Sequence, residues 1–383
     1  MHQSGINMEQ VKAYNRAMIV KYICEHETAS RVDIAADCGL TPAAVTQIIN
    51  ELIKSGILIE VGTTGRQKGA GRRKVLLSMN NENIYLYSIN IERFETIISI
   101  VNIGGKVAAT ERIPTNKDAD PEAFLKVLAE ACHRISDGVD DVISSKIKGA
   151  SIGIPGIVDI ENGVSVKAYG IWDTSVEVRT ILSRELGIPV IIQNDVNAFA
   201  RAELLFGEGR YKDDLLVIKW GQDIGGAIVI DGNIYGNRER KTAEIGHMIV
   251  DPNGELCCCG KRGCLETRAS YKKLNSIIPF ETTKFAEAFN SAGESQKKEL
   301  KEAISLFAQA LVSSCALAAP ETIILGGDLF NSKTIRDELA NAMKKYDPSF
   351  NEERLVYSKL VDRDSYIGPV AEFLQRAVFG IKF

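Results

Sequence analysis

No apolar run in these 383 residues approaches the ~20 residues that a membrane-spanning helix needs. The opening stretch, Met1 to Gln10, is polar and lacks the apolar core of a signal peptide. Both absences point to a cytoplasmic protein with no membrane partner. The sequence has no internal repeat and no low-complexity tract. It also lacks a disulfide framework, although it contains eight cysteines. Four crowd between Cys257 and Cys264. Cys24, Cys38, Cys132 and Cys315 stand apart among apolar residues, the usual setting of buried reduced thiols.

What is present is ordinary in bulk and uneven in detail. Hydrophobic residues make up 45% of the chain and charged residues 25%, as in soluble globular proteins, and the length allows two or three domains. The net charge of −4 is unevenly distributed. Residues 1–80 hold ten Lys and Arg against seven Asp and Glu, so the remainder is acidic. A basic module on an acidic body is expected to face a polyanion.

The N-terminal pattern predicts helices. Ile19 and Ile23 share a face within 15–25. Ser30 is placed to cap a helix over 31–38 that stops at Gly39. Thr41 is placed to cap the next, with Pro42 in its first turn and Val45, Ile48, Ile49, Leu52 and Ile53 as its apolar face. Two short helices joined this way predict a helix-turn-helix, with Thr41, Ala44, Thr46, Gln47 and Asn50 facing DNA. Strands over 57–61 and 74–78 then flank a glycine-rich loop carrying Arg66, Lys68, Arg72 and Arg73 and no acid. That loop reads as a wing lying along the phosphate backbone or in the minor groove.

Beyond Asn80 and Asn81 the pattern becomes α/β, with strands near 85–90, 97–101, 149–154, 215–219, 227–230 and 322–325 and helices over 121–136 and 176–186. Residues 290–302 are polar and read as a solvated connection leading into a helix. Between them lies the sequence's most specific cluster. His247, Cys257, Cys259 and Cys264 form the ligand set of a closed, structural zinc site, with Gly260 and Gly263 allowing a tight loop. Cys258, next to Cys257 and Cys259, is expected to face away.

These motifs resemble the ROK family of repressors, open reading frames and kinases, and its repressors in particular. The resemblance rests on Gly246-His247 with the run Cys257 to Glu266, on Ile152 to Asp159 with Leu186 to Val190 and Asn194 to Ala198, and on the winged helix with Ala70-Gly71-Arg72-Arg73. It implies a two-lobed actin- and hexokinase-like domain around a sugar cleft, whose C-terminal helix returns to the first lobe. The expected division is a winged helix-turn-helix over 1–80 and a ROK domain over 81–383, with lobe one at about 84–192 and lobe two at about 193–363. Asp195 matches the base of the kinases, and Asn194, Glu244, His247 and Glu266 match positions that bond sugar hydroxyls.

The resemblance fails where a nucleotide would bind. The first phosphate loop of the kinases, Asp-x-Gly-Gly-Thr, is here Asn90-Ile91-Glu92-Arg93-Phe94, and the second, Gly-Thr-Gly-Ile-Gly, is Gly221-Gln222-Asp223-Ile224-Gly225. Each gains a carboxylate that would repel phosphate, with no offsetting cation evident. Tyr169 stands where a sugar-contacting Asn is expected, and Trp172 suits either sugar stacking or the core. The expectation is therefore a non-enzymatic, sugar-responsive repressor with Asp195 a vestigial base. Its expected partners are an inverted-repeat operator in double-stranded DNA, a sugar or sugar phosphate, and further copies as a homodimer or tetramer. A ROK-type ATP-dependent sugar kinase is the alternative.

Overall fold

The computed structural model describes residues 8–63, 73–236, 243–281 and 284–380. Among these, the head comprises α1 (Met8–His26), β1 (Ala29–Ser30), α2 (Arg31–Asp37), α3 (Pro42–Lys54), β2 (Leu58–Thr63) and β3 (Val75–Met79). The caps are the expected ones: Ser30 accepts from the Asp33 N–H and Thr41 from the Ala44 N–H, each at 3.3 Å. Gly39 takes a left-handed φ of +65°, which turns the chain between α2 and α3. Val45, Ile48, Ile49 and Leu52 are buried on one face of α3, each adding about 1.5–3 kcal/mol through burial. β3 lies between β1 and β2, antiparallel to both. Strand β1 had no signal in the sequence.

Two five-stranded sheets form the body. The first uses β4 (Tyr85–Ile91), β5 (Glu95–Asn102), β6 (Val107–Pro114), β7 (Ile147–Ile154) and β10 (Val190–Asn194), with α4 (Pro121–Asp137) and α5 (Asp141–Ser144) preceding β7. A short hairpin, β8 (Ile157–Asp159) with β9 (Val164–Lys167), precedes α6 (Val178–Leu186). After α7 (Asp195–Phe206), the second sheet uses β11 (Leu215–Trp220), β12 (Ile224–Ile230), β13 (Asn233–Tyr235), β14 (Thr322–Gly326) and β15 (Leu355–Tyr357). Its helices are α8 (Leu265–Ala269), α9 (Tyr271–Ile277), α10 (Phe285–Ser291), α11 (Glu294–Ala318) and α12 (Lys333–Tyr346); α13 (Asp364–Phe373) follows the sheet.

Although the sequence shows no repeat, the two sheets repeat one topology. Each is a three-strand antiparallel meander, β4-β5-β6 or β11-β12-β13, with two parallel strands added beside its first strand. The β4–β5 turn and the β11–β12 turn are therefore equivalent, one in each lobe. Helix α13 packs on β4, β5, β7 and α7, returning the C-terminus to the first sheet.

The polar stretch 290–302 is not a loop. Only 292–293 separate α10 from α11, and residues 294–302 are the first turns of a 25-residue helix. Their polarity reflects an exposed N-terminal end whose packing begins at Leu300. Head and body share a continuous apolar cluster running from Ile19, Val20 and Ile23 of α1 to Phe199 and Leu205 of α7.

Candidate functional site

On α3, Thr41, Thr46, Gln47 and Asn50 are exposed and Ala44 is half-buried, all opposite the buried face. Arg31, at the start of α2, reaches Asn50 Oδ1 at 3.4 Å and Glu60 at 3.1 Å, placing a cation beside this face that the sequence reading missed. Arg73 is exposed. Arg66, Lys68 and Arg72 lie outside the described residues. Lys74 pairs with Asp33 at 2.6 Å, so this cation at the base of the wing is committed to the head's own fold.

The cysteine loop is folded by two short bridges, Ile249 with Cys264 and Leu256 with Arg262. Gly263 has φ +67°, and a Cβ there would lie 1.4 Å from the Asp251 carbonyl oxygen, so no other residue fits. The loop brings one ligand atom each from His247, Cys257, Cys259 and Cys264 within 4.8 Å of one another. Cys257 Sγ lies 3.4 Å from His247 Nδ1, and Cys259 Sγ lies 3.6 Å from Cys264 Sγ. Zinc–sulfur bonds of ~2.3 Å at tetrahedral angles separate two sulfurs by about 3.8 Å, so the cluster fits that ion. Cys258 is exposed and turns toward Arg93 Nη2, 3.5 Å away, rather than into the cluster. His247 Nε2 lies 3.7 Å from Glu244 Oε2, so a histidine held through Nδ1 would orient that carboxylate.

A cavity of about 1050 Å³ lies between the sheets, lined by Asn194, Asp195, Glu244, His247 and Glu266. Asn194 caps α7, its Oδ1 accepting from the N–H groups of Val196 and Asn197, while its Nδ2 donates to the Gly156 carbonyl. The cap fixes Asp195 at the first turn of α7. Burial pushes the Asp195 carboxyl above its ordinary range, Lys219 opposes that, and Asp223 adds to it. Glu266 Oε2 accepts from the Ile224 N–H at 2.7 Å, whereas its Oε1 is buried without a hydrogen-bond partner. Tyr169 packs edge-on against His247 at 4.9 Å. Trp172 belongs to the first lobe's core, donating from Nε1 to Ser165 Oγ at 3.0 Å, so the stacking alternative fails.

The two turns that depart from the kinase pattern face each other across this cavity, and here the structure corrects the sequence reading. Cations do offset their carboxylates. Arg93 Nη2 of the β4–β5 turn lies 3.1 Å from Asp223 Oδ1 of the β11–β12 turn. Lys219, mostly buried, sits 3.3 Å from Asp364. Burial pulls its ammonium down, but Asp364, Glu92 and Asp195 outweigh that and hold it above the usual lysine range. Glu92 accepts from Asn90 Nδ2 at 2.8 Å, and burial pushes its carboxyl up to about 7 even with Lys219 nearby. Lys219 sits near the end of β11, outside both loop motifs, so only the fold reveals its position.

A winged head joined to two actin/hexokinase-like lobes, with a cleft between the lobes and a Cys3His cluster beside it, defines the class. Residues 86–376 match the ROK family and residues 14–59 match a winged helix-turn-helix DNA-binding family; the chain belongs to the ROK family. It is 31% identical over 274 residues to the xylose repressor of Caldicellulosiruptor bescii, covering 71% of this chain and 67% of that one. It is 27% identical to the DNA-binding transcriptional repressor Mlc of Escherichia coli, covering 74% and 69%. Among solved structures, a ROK family transcriptional regulator homologous to E. coli Mlc shares the fold with a TM-score of 0.77 at 24% identity, covering 96% of this chain and 97% of that one. A ROK glucokinase from Streptomyces griseus, solved with glucose and AMPPNP, shares it at 0.61 and 22% identity, covering 76% and 98%.

Proposed function

We propose that this protein is a sugar-responsive DNA-binding transcriptional repressor of carbohydrate-utilisation genes, whose ROK domain binds a sugar without phosphorylating it. One observation carries the reading: both places where a kinase would hold nucleotide phosphates are filled by this chain's own charged side chains, Arg93 against Asp223 and Glu92 near Lys219. A nucleotide would have to break that pairing and lay its phosphates against carboxylates. The head, taken as 1–80, reads DNA through Thr41, Ala44, Thr46, Gln47 and Asn50, with Arg66, Lys68, Arg72 and Arg73 on the backbone. His247, Cys257, Cys259 and Cys264 hold a structural zinc that closes one wall of the cleft. Asn194, Asp195, Glu244, His247 and Glu266 hold the sugar, because carboxylates and amides bond hydroxyls along fixed directions.

One head covers one half-site, so the working form is two copies on an inverted repeat, in the cytoplasm where the DNA is. Sugar shifts DNA affinity only by as much as it distinguishes the two arrangements of the heads, typically about 1–3 kcal/mol. Titrating an operator fragment against a sugar panel tests this; DNA affinity indifferent to every sugar rejects it. The second reading, an ATP-dependent sugar kinase, is favoured by Asp195 retaining its place in the cleft. Phosphorylation of any sugar in that panel would establish it.

A further inference from the structure

The charge inventory of the cleft bears on what can enter it. Among the described residues that line the cavity are five Lys or Arg side chains and ten Asp or Glu side chains. Each of the five cations already has a carboxylate within 4 Å. Arg93 faces Asp223, Lys219 faces Asp364, and Arg112 faces Glu95 at 2.7 Å. Arg201 and Arg376 both face Glu372. The hydroxyl-facing end keeps Asp195, Glu244 and Glu266, with Glu266 Oε1 buried and unbonded. Burial pushes Asp195, Glu92 and Glu266 toward their protonated forms, but an entering anion would still lie in a poorly screened space where, among the described residues that line it, every cation is already bound to a carboxylate. Hydroxyl groups meet the opposite situation, because carboxylate oxygens accept from them directly.

Resting on the reading that the cleft holds a sugar, we propose that the effector is an uncharged sugar and that the cleft rejects sugars carrying a phosphate or a carboxylate. Discrimination comes from counter-charges that are already committed, and Arg93 is its gatekeeper. Its guanidinium is held from three sides, by Asp223, by Cys258 Sγ at 3.5 Å, and by the chain at Gly170, where a Cβ would lie 2.6 Å from Nε. Turning toward an incoming anion would break its pairing with Asp223.

The full-length protein is tested by thermal shift and calorimetry with glucose, mannose and N-acetylglucosamine, each beside its 6-phosphate, and with glucuronate. At least one neutral sugar is expected to raise Tm, with its phosphate bound at least about tenfold more weakly. Asp223→Asn, which frees Arg93, is expected to narrow that ratio. A phosphate or glucuronate bound as tightly as the neutral sugar overturns the inference, and so does a ratio unmoved by Asp223→Asn. If no sugar binds in either form, the effector reading beneath it falls instead, and this inference with it.

Discussion

Head and cleft handle charge in opposite ways. On the head, short neutral donors and acceptors stand exposed at α3 and Arg73 is exposed, while Arg31 beside them is half-buried and paired with Glu60. In the cleft, charged side chains are turned inward and, among the described residues that line it, acidic side chains outnumber cations and every cation is paired. Arginine occurs in both regions, exposed as Arg73 on the head and paired as Arg93 in the cleft. The difference lies in partnering, since an exposed arginine can release counterions whereas a buried, paired one must first break its ion pair.

The largest way to break this contrast is through the cysteine cluster. Cys264→Ser or a strong chelator should cost several kcal/mol of body stability, because metal binding and folding of such a loop are linked. Calorimetry should show the loss, and metal analysis of the untreated protein should give one zinc per chain. Next, Gln47→Ala and Asn50→Ala should each weaken operator binding by about 1–3 kcal/mol while leaving sugar-induced thermal shifts unchanged. Equal losses for unrelated duplexes would mean that α3 reads no bases.

A smaller effect concerns Glu92. Its carboxyl is pushed up to about 7 by burial, above its unfolded value. The folded state therefore holds the proton longer, so stability is greater below the unfolded pKa and falls as pH rises through about 7. Glu92→Gln should thus stabilise the fold more at pH 8 than at pH 5, by on the order of 2 kcal/mol, seen as a larger Tm gain at pH 8. An equal shift at both pH values would remove Glu92 from the titrating set. The smallest expected change is in Arg73→Ala, which should flatten the salt slope of DNA binding by about one phosphate contact.

Much of this was legible in local chemistry. Ser30, Thr41 and Pro42 announce their helices because a cap is decided within three residues. The Cys3His cluster was legible because its cysteines are close in sequence and only a few ligand sets suit zinc. Lys219 was not, because a lysine on a strand acquires meaning only from Asp364 and Glu92, which lie far away in the chain. The Arg93–Asp223 pair was hidden for the same reason, and both residues looked like isolated departures from a motif. Residues 294–302 misled because an exposed helix start has the composition of a loop. The repeated sheet topology left no trace in the residues, since hydrogen-bonded strand order constrains burial rather than identity.

Helix α7 begins at the cleft with Asp195 and ends beside the head. Just past it, the Tyr211 hydroxyl donates to the Glu25 carbonyl at 3.4 Å, and the Tyr211 ring meets His26 edge-on. Its 12 residues make a rod about 18 Å long. A tilt of about 10° where the sugar hydroxyls would lie sweeps the far end through about 3 Å. That displacement is large against the tolerance of a helix seated in a groove, and the lever needs no flexible relay to deliver it.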